Sequence, residues 1–142
     1  MKIKDIMSPN PISVTKDSSI KSAAELMRKN DIGAVPVVDS ESGKIKGILT
    51  DRDIITRCVS KDLNTNTVTA AEIMTSKVIT VCPENSVTES ARIMAKNQIR
   101  RLPVCESGKV VGMVSLSDIS RSKIMFAETA SAFCDICNGA DE

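Results

Sequence analysis

The chain has 142 residues, 42% hydrophobic and 26% charged, the balance of an ordinary globular protein. It contains no His, Trp or Tyr and two Phe, which excludes a His general base, a His-paired nucleophile, a His-containing metal site and base stacking on aromatic platforms. With 19 Lys+Arg against 18 Asp+Glu the net charge is +1, so no whole-protein field draws in nucleic acid or an anionic membrane.

Taken in chain order, the first predicted element is a short helix ending at Met7. The alternation Ile12-Ser13-Val14 then predicts a strand. Asp17-Ser18-Ser19 offers a cap to a helix whose Ile20, Ala23, Ala24 and Met27 fall on one face. The apolar run Ala34-Val35-Pro36-Val37-Val38 predicts a strand in which Pro36 demands an edge position or a local break. Gly43-Lys44 turns the chain into a second strand, Ile45 to Leu49, and a short helix opens at Thr50.

The same series then recurs. Asp5 to Ser40 lies over Glu72 to Ser107 at an offset of 67, and, after a two-residue deletion, Gly43 to Ile54 lies over Gly108 to Ile119 at 65. Met74, Ile79-Thr80-Val81, the stripe Val87, Ala91, Met94, the run Leu102-Pro103-Val104-Cys105, the turn Gly108-Lys109 and the strand Val110 to Val114 repeat the first set, and a helix opens at Ser115. Ser60 to Thr69 is polar and uncapped, a linker. The expected organisation is repeat one over residues 1–60, linker 61–70, repeat two over 71–123 and a C-terminal tail 124–142. The expected fold is α/β (α+β), two β-α-β-β-α repeats packed as a pair.

The chemistry-bearing residues sit where the last strand of each repeat meets its last helix: Gly47-Ile48-Leu49-Thr50-Asp51-Arg52-Asp53 and Gly112-Met113-Val114-Ser115-Leu116-Ser117-Asp118. A hydroxyl followed three residues later by an acid is a capping box, and that reading needs no ligand. The other reading is a ligand site. Free amides and a hydroxyl at a helix start favour phosphate, a carboxylate one turn in accepts ribose hydroxyls, and Arg52 adds a cation in the first copy. Recurrence with the same Gly and apolar spacing favours the ligand; both readings stand at this point.

These motifs, with Asp5-Ile6-Met7-Ser8, Glu72-Ile73-Met74-Thr75 and Ile99-Arg100-Arg101-Leu102-Pro103-Val104, make residues 1 to about 122 resemble a tandem pair of CBS domains, a Bateman module. The resemblance implies two repeats related by a pseudo-twofold axis, binding AMP, ADP, ATP or S-adenosylmethionine in clefts between them. It makes Asp53 and Asp118 ribose ligands, with Thr50 and Ser115 on ribose or phosphate. It places adenine between Ile12-Ser13 or Ile79-Thr80 and the strands starting Ala34-Val35-Pro36 or Leu102-Pro103. Arg101 matches a position where the family often places a phosphate-binding cation, and Arg100 either assists it or is a solvated neighbour. The first-copy counterparts Gly33 and Ala34 carry no charge, so the two clefts are unequal. Not every family member binds a ligand, so a ligand-free dimerisation or scaffold module is the alternative.

The resemblance also implies a homodimer and an unidentified regulated protein. No required cofactor is expected, and no enzymatic activity, since no nucleophile and base pair is visible. The longest apolar runs are too short to span a bilayer, and the first residues lack a signal peptide's apolar stretch, so a cytoplasmic location with reduced cysteines is expected. Cys58, Cys82 and Cys105 read as small core residues. Cys134 and Cys137 form a Cys-x-x-Cys in a tail expected to be unstructured or frayed. A lone thiol pair cannot fill a tetrahedral zinc shell, though two tails from a dimer can.

Overall fold

The computed structural model describes residues 1–122 and 126–140. It forms two compact units, one from Pro11–Val78, the other from Met1–Asn10 together with the chain from Ile79 onward. Each unit therefore holds the body of one sequence repeat and the entering segment of the other.

In the Pro11–Val78 unit, strand β2 (Val14–Thr15), helix α1 (Ile20–Asn30), strands β3 (Ala34–Val38) and β4 (Ile45–Thr50) and helix α2 (Asp51–Arg57) follow one another. The Ser19 hydroxyl caps α1 by accepting the Ser22 amide at 3.1 Å, and Asp31 ends it in the left-handed region, with Arg28 and Lys29 in the last turn facing the negative end of the helix dipole. The predicted stripe is real: Ile20, Ala23 and Met27 are buried, and Ala24 is half-buried beside them. They close on Val14, Val35, Val37, Leu49 and Ile54. Each large aliphatic side chain fully buried there stabilises the unit by roughly 1.5–3 kcal/mol.

The other unit repeats the plan with α4 (Val87–Asn97), β5 (Arg101–Glu106), β6 (Lys109–Ser115) and α5 (Leu116–Arg121). Its core gathers Val87, Ala91, Met94, Leu102, Val104, Val114 and Ile119. Ser86 caps α4 on the Glu89 amide at 3.0 Å, and Gln98 closes it in the left-handed region.

The sheets run β2-β3-β4 in one unit and β1 (Ser8–Pro9)-β6-β5 in the other. β2 is parallel to β3, as a strand-helix-strand passage requires, and Val81 makes the matching parallel bridge to Val104. The predicted first strands are thus displaced: Ile12, Ser13, Ile79 and Thr80 lie just before the paired residues. Register decides this, because β2 finds its partner only at Val37–Val38. Pro36 sits in a central strand. It escapes the cost of a lost amide because β2 stops short of it, and a register shift follows at Val37/Val38. β5 shows the same shift at Val104/Cys105.

The two-residue difference between the repeats falls in the hairpins. Glu106 pairs with Lys109 across the two-residue turn Ser107-Gly108, both with positive φ, a conformation glycine adopts freely. In the first repeat the longer turn is held by Asp39, whose carboxylate accepts the Ser42 amide at 2.9 Å.

Each entering segment lies across a hairpin. Ser8–Pro9 pairs with Met113 and Gly112, and Thr75 exchanges hydrogen bonds of 3.0 and 2.9 Å with Ile48. A Cβ on Gly47 would stand 2.4 Å from the Met74 sulfur and 2.9 Å from the Thr75 carbonyl; on Gly112, 2.6 Å from the Met7 sulfur and 3.0 Å from the Ser8 carbonyl. The recurrent motif glycines are therefore explained by this crossing, without a ligand.

The expected linker is pinned to α1 through its backbone. Val68 and Thr65 carbonyls accept the first α1 amides, Ile20 and Lys21, each at 2.9 Å, and Thr69 with Glu72 makes a capping box on helix α3 (Ala70–Ile73). The supposed frayed tail is helix α6 (Phe126–Ala140). Its Ala132 is buried in the α4/α5 core with Ile136 packed alongside. The reason lies on α4: Thr88, Ala91 and Ala95 offer a low surface to α6, where the α1 counterparts are Lys21, Ala24 and Arg28. Cys58 and Cys105 are buried as expected; Cys82 is exposed. No described helix is long and apolar enough to cross a membrane.

Candidate functional site

Both motif turns form the same closed figure. In the first repeat the Thr50 hydroxyl accepts the Asp53 amide at 3.1 Å while Asp53 Oδ2 accepts the Thr50 amide at 3.0 Å. In the second the Ser115 hydroxyl accepts the Asp118 amide at 3.1 Å and Asp118 Oδ2 accepts the Ser115 amide at 2.8 Å. The capping-box reading is thus realised in both copies. The next amide is also engaged: Asp51 donates to the Gly33 carbonyl and Leu116 to the Arg100 carbonyl, both at 2.9 Å. The Arg52 amide goes to Asp51 Oδ1 at 2.8 Å. The expectation of free amides for a phosphate therefore fails at α2, where the first three are all satisfied within the turn.

What the cap leaves over is one carboxylate oxygen per turn and the hydroxyl's own proton. Asp53 and Asp118 side chains are 13% and 11% exposed, so each Oδ1 stands at the edge of a mostly dry turn. Each faces an arginine that the motif reading did not include. Arg57 Nε lies 3.9 Å from Asp53 Oδ1, and Arg121 Nη2 donates closely to Asp118 Oδ1. Spacings of four and three residues on one helix face were the available signal.

The strand register sorts the remaining predicted residues. Arg101, exposed, is paired with Ser115, whereas Ala34 is paired with Thr50, so a cation flanks the Ser115 turn from the paired strand and none flanks the Thr50 turn from there. Asp51, exposed, matches Leu116, which is buried, adding an acid to the other turn. Arg52 is exposed on the first turn of α2. Val35 and Leu102 are wholly buried, and Pro36 and Pro103 are buried beside them, so their strands offer backbone to a ligand. Ile12 and Ile79 are half-buried and Ser13 and Thr80 exposed, in extended chain before the first paired residues.

Cys134 and Cys137 are exposed, free thiols on α6. Among the described residues no three His, Cys, Asp or Glu side chains come together as metal ligands. Burial pushes the Cys105 thiol up, with Cys82 beside it a smaller cause, and a raised thiol is a poor nucleophile. The groove between α4 and α6, about 240 Å³, is lined by Thr88, Ala91, Arg92, Ala95, Ser131, Ala132 and Asp135, none of them a motif residue. It is the packing seam of α6.

Comparison with known proteins follows the two sequence repeats. The family model described as CBS domain matches twice, over residues 3–60 and 70–124. A CBS domain-containing protein of Bacillus subtilis, YhcV, is 34% identical over 134 residues, 94% of each chain. The crystal structure of the CBS domain pair of protein MJ0100, in complex with 5'-methylthioadenosine and S-adenosyl-L-methionine, is 37% identical, covers 86% of this chain and 94% of that one, and has a TM-score of 0.76. The crystal structure of Hypoxic Response Protein I, with two coordinated zinc ions, is 34% identical over 85% of this chain and 98% of that one, TM-score 0.79.

Proposed function

The chain belongs to the CBS domain family, and from that premise we propose that it is a regulatory module that binds adenosine compounds at its two motif turns and passes their occupancy to a partner protein. The observation that carries the reading is the second carboxylate oxygen, Oδ1, which the cap does not use: on Asp53 it faces Arg57 at 3.9 Å, and on Asp118 it accepts from Arg121. Two acceptor lone pairs beside a hydroxyl suit a ribose diol, and an acceptor that is mostly desolvated bonds more strongly than one in water. The MJ0100 pair, holding two adenosine derivatives on a fold this similar, supports the same ligand class.

The turns are not equivalent in this reading. The Ser115 turn, with Arg101 across the ladder and Arg100 beside it, takes the phosphorylated nucleotide. The Thr50 turn, with Ala34 and Asp51 in the matching places, disfavours phosphate. Backbone of the β3 and β5 starts and the half-buried Ile12 and Ile79 receive the base, which suits a chain whose two Phe both lie on α6. Ligand binding acts by favouring one arrangement of the protein over another, which is regulation and not turnover, and a homodimer is the assembly that responds.

A second reading has its own observation: both capping boxes are complete without a ligand, as a scaffold module requires. A thermal-shift series with AMP, ADP, ATP and S-adenosylmethionine separates the two. Asn is the informative substitution, since its amide oxygen keeps the cap while its NH₂ cannot accept a ribose hydroxyl. At least one compound should raise the melting temperature of the wild type, and Asp118→Asn or Asp53→Asn should abolish the rise without lowering the ligand-free value much. No rise with any compound at millimolar concentration leaves the scaffold reading.

A further inference from the structure

Arg57 is hydrogen-bonded to more than its ion-pair partner. Its Nη1 donates to the Ile73 carbonyl at 3.1 Å and the Met74 carbonyl at 3.3 Å, with the Thr75 hydroxyl at 3.5 Å, while its Nε faces Asp53 Oδ1 at 3.9 Å. One guanidinium thus joins the candidate ribose-binding carboxylate to the end of α3 at Ile73 and to Met74 and Thr75, of which Met74 packs on Gly47 and Thr75 bridges to Ile48 of β4, a few positions before the chain leaves this unit at Val78. The planar fork of Arg is suited to that double attachment, because both ends of one rigid group move together.

The other unit supplies the internal contrast. Arg121 meets Asp118 but makes no described bond to the Met7–Pro9 segment, and the residue at Arg57's aligned place is Ser122, whose hydroxyl contacts the Met1 sulfur. The corresponding segment there is held by its pairing with Gly112 and Met113, continued by the Asn10 amide on the Val111 carbonyl.

Resting on the nucleotide reading, we propose that Arg57 is a positioning residue that couples Asp53 to the Ile73–Thr75 segment, so that engagement of Asp53 Oδ1 loosens that segment's hold on β4. The 3.9 Å gap at Nε is longer than a direct hydrogen bond, so a ribose hydroxyl entering at Oδ1 competes for the weakest of the guanidinium's attachments. With Oδ1 engaged the guanidinium loses its anchor, and the bonds to Ile73, Met74 and Thr75 lose the preorganisation that makes one donor serve three oxygens. Among the described residues the Pro11–Val78 unit alone has this device, so the two turns differ in what binding does as well as in what they bind.

The test is hydrogen exchange at the Met74 and Thr75 amides, which donate to Ala70 and Ile48 carbonyls and are not themselves bonded to Arg57. Asp53→Asn, Arg57→Gln and the double variant are measured without ligand, and wild type and Arg57→Gln also with S-adenosylmethionine. Each single change should quicken exchange at these amides roughly three- to tenfold, about the worth of one ordinary hydrogen bond, because the amides keep their own acceptors and lose only the bracing of the guanidinium. The double change should add little to either, and the Met7–Pro9 segment should be unaffected. Ligand should quicken the same amides in the wild type and not in Arg57→Gln. Unchanged exchange in Asp53→Asn, or additive effects in the double variant, overturns the coupling whether or not a nucleotide binds. Binding to the wild type with no exchange response overturns it while leaving the nucleotide reading in place. If S-adenosylmethionine fails to bind, the ligand-free cycle still decides.

Discussion

The Thr50 turn and the Ser115 turn make the same four-atom hydrogen-bond figure from different neighbours, and the neighbours separate what the fold needs from what a ligand needs. Hydroxyl, carboxylate and glycine are common to both because each helix start must satisfy its amides and each hairpin must admit a crossing segment. Charge is under no such constraint, and there the turns part: Arg100, Arg101, Leu116 and Ser117 on one, Gly33, Ala34, Asp51 and Arg52 on the other. Second arginines differ as well, Arg57 reaching the Ile73–Thr75 segment and Arg121 stopping at Asp118. Structural need explains the similarity; the differences are where specificity has room to reside.

The comparison breaks most severely if the two cores are unequal. Leu49 and its aligned partner Val114 are both wholly buried. Leu49→Ala should cost roughly 2–5 kcal/mol in denaturant unfolding, and Val114→Ala less, since fewer buried atoms are removed. A larger loss for Val114→Ala would mean that the second core carries more of the stability than its packing indicates. Next come the crossing glycines. Gly47→Ala and Gly112→Ala should each cost about 1–3 kcal/mol, because a Cβ would meet a methionine sulfur and a backbone carbonyl that cannot both withdraw. Calorimetry showing either change neutral would remove the structural reason given for the motif glycine. The caps are smaller. Thr50→Ala and Ser115→Ala should each lose about 1 kcal/mol, and a clear inequality in melting temperature would show that one turn is supported from elsewhere.

Acid gives the mildest contrast, one carboxyl per unit. Hydrogen bonds from Lys2 and then Lys4 hold Glu84 at about 2 against an ordinary value of 4.5. Asp39 is likewise lowered to about 2 from 3.8, chiefly by the Ser42 amide, then the Ser42 hydroxyl and Lys16. A carboxyl depressed in the folded protein stabilises it above its ordinary value, and that contribution disappears as pH falls through the folded one. Carbon-detected titration should show both contacts intact at about pH 5 and half lost near pH 2, with the Lys2 and Lys4 side chains released from Glu84 as pH falls through that value. Ordinary titration near 4.5 for Glu84 would contradict the contact.

Much of this was legible in the residues. The repeat, both helix stripes, both capping boxes and the hairpin turns are local patterns, and their signals lie within a few residues of the elements they specify. The misses share a cause in long-range pairing. Strand β2 begins at Val14, two residues late, because only Val37–Val38 is available to pair. Residues 61–69 lie between the two family matches, as a linker should, but their attachment to the first amides of α1, about 45 residues away, is not visible in their own residues. Helix α6 reads as a tail because the surface that holds it is made by Thr88, Ala91 and Ala95. Nothing near Met1–Asn10 indicates that it pairs with β6. At the site, charge asymmetry was visible in Arg101 against Ala34, whereas the satisfied amides of α2 became apparent only once Gly33 and Asp51 were seen to close the turn.

The central claim is that Asp118, with Arg101 across the ladder, forms the nucleotide turn. Titration calorimetry of AMP into wild type, Asp118→Asn and Asp53→Asn tests it most directly. Asp118→Asn should weaken AMP binding by about tenfold or more, the worth of a hydrogen bond to a charged group, and Asp53→Asn should leave it nearly unchanged. Equal losses from the two substitutions, or no AMP binding to the wild type, would contradict it.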